Sequence, residues 1–319
     1  MKYLFYITLC LLLSCSKTQP VKEFAIAIHG GAGVIPKTID PLIAKRYKHS
    51  LEHALALGVD VLKKGGTSLE AVEKSIRFLE NDSLFNAGIG AVFTNKKTHE
   101  LDASIMDGKT LECGAVAGVK TVKNPISLAR LVKDSTNHVL LIGDGAEEFA
   151  TEMDVERVPN TYFSTQKRYR SLLKKLAKEK EAFSKKGTVG VVALDKHGNL
   201  AAGTSTGGLT NKKFGRVGDS PIIGAGTYAK NATCAISSTG TGEEFIRYSV
   251  ARQISDLMEY KGYTLEKAMN HVVFNVLQKG DGGTIGVDKY GNISMQFNSN
   301  GMFRAAADSE GHYEVKIWE

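Results

Sequence analysis

The sequence predicts one α+β domain in which helices cover antiparallel sheet. Three observations lead there. Strand-like runs come in pairs joined by short turns, at Asp107-Gly108, Asp195-Lys196-His197-Gly198-Asn199 and Asp288-Lys289-Tyr290-Gly291-Asn292. Helical patterns are grouped between those pairs and do not alternate strand by strand, which argues against a parallel sheet. No shift in composition divides the 319 residues, so residues 24–319 read as one domain.

Residues 1–14 form a short apolar run after Lys2, too short to span a bilayer and shaped like a secretion signal. It ends at Leu12-Leu13-Ser14-Cys15, which resembles the bacterial lipoprotein box, with Cys15 the acylated residue. Residues 15–23 then read as a polar tether. The expectation is an exported protein of the bacterial periplasm or outer membrane, touching membrane only through that lipid. A plain signal peptide is the alternative.

Phe24–Ile28 is a continuous apolar run that reads as a buried strand running into a glycine turn, His29-Gly30-Gly31-Ala32-Gly33. The turn lacks the Lys-Ser/Thr ending of a phosphate loop and fails the dinucleotide spacing, so close backbone packing is its expected role. Residues 42–64 read as a helix. Thr67-Ser68-Leu69-Glu70 is a capping-box sequence for a second, ending near Asn81-Asp82. A loop over Phe85–Thr94 leads to a hairpin turning at Asp107-Gly108. Pro125 opens a helix over Ile126–Val132, His138–Ile142 reads as a strand, and Gly145–Ala150 begins another helix. Beyond residue 187 the expected elements are a hairpin over 188–205, an irregular glycine-rich stretch, helices over about 243–260 and 264–277, and a hairpin over 284–297.

The net charge of +7 suggests a nucleic-acid partner until its location is considered. Residues 167–187 alone carry nine Lys or Arg against two Glu, the whole surplus of the chain. The segment from about 164 to 187 therefore reads as a flexible basic linker, and no nucleic-acid face is expected. Of four cysteines, Cys113 and Cys234 lie within the domain, with neither disulfide-framework nor metal-ligand spacing.

The lysine-rich segment ends at Gly187-Thr188-Val189-Gly190, just before a strand pattern. An ordinary strand start accounts for such a pair. If the chain instead cuts its own Gly187–Thr188 bond, Thr188 gains a free α-amine beside its hydroxyl, a recognised nucleophilic device. Three further polar, glycine-rich segments follow: Thr204-Ser205-Thr206-Gly207-Gly208, Gly215-Arg216-Val217-Gly218-Asp219-Ser220-Pro221 and Ser238-Thr239-Gly240-Thr241-Gly242. Threonine hydroxyls beside glycine N–H groups suit an oxyanion. Arg216 can grip a carboxylate bidentately, and Asp219 can accept from an ammonium. A surface Arg–Asp ion pair is the simpler alternative.

Together with Phe85–Thr94 and Leu101–Gly108, these segments resemble the isoaspartyl peptidase/L-asparaginase family, the plant-type asparaginases among the N-terminal nucleophile hydrolases. The resemblance runs from Ala25 to Ala305. It implies an αββα four-layer sandwich and cleavage before Thr188, giving an α chain of residues 15–187 and a β chain of 188–319. Two such pairs are expected to associate as (αβ)2. Carried over residue by residue, Thr188 is the nucleophile and Thr206 orients it. Thr239 and the Gly240 N–H form the oxyanion hole. Arg216 anchors the substrate α-carboxylate, and Asp219, helped near Gly242, anchors its α-amine. Val217, Gly218 and Thr241 complete the substrate contacts, with Asn86 at the active-site asparagine position. Leu79, Glu80, Asp82, Phe85, Ala87 and Ile89 match a loop whose carbonyls bind a structural sodium ion, although Asn81-Asp82-Ser83 lacks residues common there. No cofactor is expected for catalysis.

The implied activity is hydrolysis of isoaspartyl dipeptides and L-asparagine through a β-aspartyl-threonine ester. Glycosylasparaginase is the alternative enzyme, disfavoured by Gly187 and Thr241 where that family usually has Asp and Asn. An inactive peptide-binding lipoprotein is the alternative of another class. Gly283-Thr284-Ile285-Gly286 repeats the junction pattern without a charged segment before it, and no cleavage is expected there.

Overall fold

A computed structural model describes residues 19–177 and 187–319. Residues 1–18, on which the signal and lipidation expectations fall, Cys15 among them, and residues 178–186 lie outside them.

Twelve strands and eight α-helices are ordered along the described chain as β1 (Ala25–Gly33), α1 (Pro41–Lys63), α2 (Ser68–Glu80), β2 (Leu101–Asp107), β3 (Cys113–Val119), α3 (Pro125–Ser135), β4 (Leu140–Ile142), α4 (Gly143–Glu152), α5 (Gln166–Ala177), β5 (Val189–Leu194), β6 (Leu200–Thr206), β7 (Thr227–Ala229), β8 (Cys234–Gly240), α6 (Gly242–Arg247), α7 (Val250–Lys261), α8 (Leu265–His271), β9 (Gly282–Asp288), β10 (Ile293–Phe297), β11 (Gly301–Asp308) and β12 (Tyr313–Lys316). They build an eight-stranded sheet in the order β12-β11-β1-β5-β6-β2-β3-β4 and a four-stranded sheet in the order β10-β9-β8-β7. All pairs are antiparallel except β3 with β4.

Residue size alternates along the central strands, and that alternation sets two cores. Ile26, Ile28, Val191 and Ala193 join Leu51, Leu55, Val72, Ile76 and Ile126 of α1, α2 and α3. The intervening Ala25, Ala27, Val192 and Leu194 join Ile236, Ile285, Ile254 and Met269, which come from the smaller sheet, α7 and α8. Successive side chains of a strand point to opposite faces, so a strand buried on both reads as one apolar run. The alanines of β1 keep its inner face thin where the two sheets meet.

The capping box forms as the sequence implies: Thr67 Oγ1 accepts from the Glu70 N–H, and Glu70 returns a carboxylate oxygen to the Thr67 N–H. The predicted helix at 42–64 and the two hairpins beyond residue 187 are likewise present.

Several expectations are corrected. The glycine run after Ile28 is no turn. β1 continues through it to Gly33 with a register shift between His29 and Gly31, because β11 pairs with it as far as Gly33 while β5 pairs only up to His29. Residues 19–23 are no free tether: the Lys22 N–H bonds the Tyr290 carbonyl and its ammonium pairs with Asp308. Nor is the whole basic segment a linker. Residues 166–177 form α5, held by buried Leu172 and by Arg168, whose Nε donates to the Gly90 carbonyl. The helix expected over 243–260 is two helices, broken at Ser249 with φ +48°. The one expected over 264–277 ends in a π-helical turn at Val272–Val276. β4 begins at Leu140, not His138, and β7 and β8 form where an irregular stretch was expected.

Candidate active site

Thr188 sits one residue before β5, buried, at the point where β5 runs between β1 and β6. Its hydroxyl donates to Thr206 Oγ1 at 3.1 Å. Thr206 ends β6, and its oxygen also accepts from the Gly208 N–H while its hydroxyl reaches the Gly187 carbonyl at 3.3 Å. The Gly187 carbonyl is gripped a second time, by Asn86 Nδ2 at 2.7 Å. Asn86 cannot drift: it also donates to the Gly208 carbonyl at 2.8 Å and accepts from the Val92 N–H at 2.9 Å. The carbonyl carbon of the 187–188 bond thus has two donors on its oxygen and the Thr188 hydroxyl next along the chain. That arrangement can stabilise negative charge on that oxygen if the bond is attacked.

β1 ties this junction to β8. A Cβ at Gly31 would stand 2.9 Å from Gly187 Cα, so only glycine allows the close approach. The next residue, Ala32, donates its N–H to Thr239 Oγ1 at 3.2 Å. Thr239 accepts there and keeps its own O–H to donate elsewhere, as an oxyanion donor must. Gly240 ends the strand, and Thr241 donates its hydroxyl to Asp281 Oδ1 at 3.1 Å.

Gly242 then meets the Arg216 loop. A Cβ there would lie 2.7 Å from Arg216 Nη2 and 3.0 Å from Asp219 Oδ1. Arg216 and Asp219 do not pair with each other. Arg216 bonds the Glu243 carboxylate through Nε and Nη2, both at 2.9 Å. Asp219 is buried with no hydrogen-bond partner on Oδ2, and burial pushes its carboxyl up to about 7. The simpler alternative of a surface ion pair between Arg216 and Asp219 is therefore excluded. A buried acceptor without a donor is costly and marks a place for one. Val217 is half-buried and Gly218 lies under the Arg216 guanidinium.

The last turn of α2 and the loop after it carry the six expected sodium-site residues. Cβ atoms at Gly88 and Gly90 would fall 2.0 Å from the Glu80 and Phe85 carbonyl oxygens, so this glycine-lined turn folds tightly over hard oxygen donors of the kind an alkali cation takes. Among the described residues no His, Cys, Asp or Glu group is arranged to hold a metal ion.

Three features were not read from the sequence. His29, noted there only as the end of an apolar run, is fully buried, with Nδ1 3.0 Å from the Thr188 carbonyl and Nε2 3.0 Å from Ser237 Oγ. The carbonyl can only accept, so Nδ1 carries the proton, and burial lowers the imidazole to about 3 and keeps it neutral. From Ser237 the hydroxyls of Thr204, Thr227 and Ser104 continue at 2.7, 2.6 and 2.7 Å to the Ser220 carbonyl region. Lys212 is buried, donating to the Glu100 carbonyl at 2.8 Å with its ammonium 4.0 Å from Asp102. Glu243 is the third. The available signal was hydroxyl residues at inward positions of otherwise apolar strands.

The family model described as Asparaginase matches residues 22–317. The chain is 50% identical over 296 residues to an isoaspartyl peptidase of Escherichia coli strain K12, covering 88% of this chain and 91% of that one. It is 50% identical over 298 residues to an isoaspartyl peptidase of Salmonella typhimurium, covering 89% and 95%. An isoaspartyl peptidase/L-asparaginase of Mus musculus is 42% identical over 290 residues, covering 89% and 88%. These relatives overturn the expectation of a signal-bearing, lipid-anchored exported protein: they are named as peptidases and asparaginases, not lipoproteins, and the match begins at residue 22, beyond the residues on which that expectation rested. No helix among the described residues is long and apolar enough to cross a membrane.

Proposed function

Because the chain belongs to the asparaginase family and is a hydrolase, we propose that it is a self-cleaving threonine amidohydrolase acting on isoaspartyl dipeptides and L-asparagine. The observation that carries this reading is the Gly187 carbonyl held by Asn86 and Thr206 beside the Thr188 hydroxyl.

In the cleavage step, Thr188 Oγ1 attacks the Gly187 carbonyl carbon and the C–N bond breaks toward the Thr188 nitrogen. Water hydrolyses the resulting ester, leaving a carboxylate on Gly187 and a free amine on Thr188. The β chain is then residues 188–319. An α-amine has an ordinary pKa of about 7.7–8.0, so a neutral fraction is present near neutral pH. That amine takes the Thr188 hydroxyl proton as Oγ1 attacks the substrate side-chain carbonyl. Thr239 O–H and Gly240 N–H hold the oxyanion. Ammonia or an amino acid leaves with the proton, and water releases aspartate from the threonine ester.

Arg216 receives the substrate α-carboxylate, and Asp219 supplies its partnerless oxygen to the ammonium. The helices packed on the outer faces of the two sheets support an αββα assignment. Sodium on the carbonyls of the loop after α2 would pin the segment that carries Asn86. Association of two cleaved molecules as (αβ)2 belongs to the same reading.

The test is turnover. Purified protein is expected to release leucine from β-aspartyl-leucine and ammonia from asparagine. Release from N4-glycosylated asparagine alone would replace this reading with the glycosylasparaginase one.

A further inference from the structure

We infer that Glu243 is a positioning residue that fixes the Arg216 guanidinium for the substrate α-carboxylate. The inference rests on the proposed function. A guanidinium offers two edges for bidentate bonding, Nε with Nη2 and Nη1 with Nη2. Glu243 takes the first, with two bonds of 2.9 Å. Nη1 has no hydrogen-bond partner among the described residues, so the second edge remains for a ligand.

The surroundings of the head group fix its direction. Gly218 and Gly242 leave no side chain where Cβ atoms would stand 2.7 Å from Nη1 and from Nη2. The Arg216 side chain is 19% exposed and that of Glu243 is 47% exposed, so the carboxylate lies at the rim and the guanidinium beneath it. Without Glu243, a flexible arginine would lose its fixed orientation and spend ordering entropy on each binding event.

Glu243 also acts on the other anchor. Its negative charge is among the influences that raise the Asp219 carboxyl, opposing the lowering by Arg216. One carboxylate at the rim therefore bonds one anchor of the zwitterion site and acts electrostatically on the other.

Two variants and two substrates test this on the cleaved enzyme. Glu243→Ala is expected to raise KM for asparagine roughly ten-fold, as expected for one charge-assisted hydrogen bond, with kcat within about two-fold. Glu243→Gln keeps one accepting oxygen and is expected to fall between. 3-Aminopropanamide lacks the α-carboxylate but keeps the amine that Asp219 binds, so its kcat/KM, read at a pH well above 7 where Asp219 is ionised with or without Glu243, is expected to be the same in wild type and Glu243→Ala. An unchanged or lowered KM for asparagine overturns the inference, as does a parallel loss on 3-aminopropanamide, which reports general damage. A wild type without turnover of asparagine or β-aspartyl-leucine overturns the functional reading itself.

Discussion

Asp219 ties the residue-scale chemistry to pH. Its buried carboxyl sits at about 7 before any ligand arrives, and an ammonium is bound by the ionised form. The pH dependence of kcat/KM reports the free enzyme. Activity on asparagine is therefore expected to rise with pH through about 7 and to fall below it, read from initial rates on the mature enzyme. A flat profile between pH 6 and 8 would contradict the assignment. Asn86 serves a different step. Its Nδ2 holds the oxygen of the bond proposed to be cut, so Asn86→Ala is expected to slow appearance of the two chains by about 10²–10³-fold, the usual cost of one oxyanion donor. Timed denaturing gels of the purified precursor measure that. Thr188, Thr206, Arg216 and Asp219 could be nominated from the sequence because each sits in a short polar, glycine-rich segment. Glu243 was not, since one acidic residue opening an acidic helix turn looks like ordinary capping chemistry.

Among the elements, β5 begins one residue after Thr188, the proposed nucleophile, and is held between β1 and β6. Gly190 is where its backbone meets both His29 and β8: a Cβ would stand 2.0 Å from Ser237 Oγ and 2.3 Å from His29 Nε2. Gly190→Ala is expected to destabilise the fold by about 1–3 kcal/mol through overpacking and to impair cleavage by displacing the Thr188 carbonyl. Urea unfolding and the cleavage gel check both effects. The repeated pattern at Gly283-Thr284 shows what the element supplies. Thr284 lies inside β9, paired to Ser238 on one side and Gln296 on the other. Its peptide bond has no freedom to be attacked, whereas Thr188 precedes its strand. Strand hairpins with Asp-Gly-Asn turns and the capping box were readable from local sequence. β7 and β8 were not, because β8 sets a single Ile236 among Cys, Ala, Ser, Thr and Gly and forms through its partner β9, and the three-residue β7 forms against β8. The glycine run of β1 misled for the same reason: glycine there admits close neighbours instead of reversing the chain.

Across the whole molecule, Glu80 joins three elements. It is fully buried, accepting from Ser205 of β6, the Ile126 N–H of α3 and Asn124, and burial lifts its carboxyl from 4.5 to about 7. A carboxyl raised on folding binds more protons in the folded state, so its contribution is full below about 4.5 and is lost as pH rises to about 7. Thermal unfolding between pH 5 and 7 is expected to show that decline in the wild type, and Glu80→Gln is expected to flatten it. An identical slope in both would contradict it. The two-sided burial of the central strands was visible as apolar runs, but the division into two sheets came only from the family resemblance, because sheet membership depends on partners far along the chain.

The central claim is that the chain cuts itself to make its nucleophile. Intact-mass analysis of the purified protein, alongside ammonia release from asparagine, tests it most directly. The wild type is expected to give a fragment beginning at Thr188 and none beginning at Thr284, with activity appearing as that fragment accumulates. Thr188→Ala is expected to stay whole and inactive. Turnover by an uncut chain, or a mature fragment beginning at any other residue, would contradict the account.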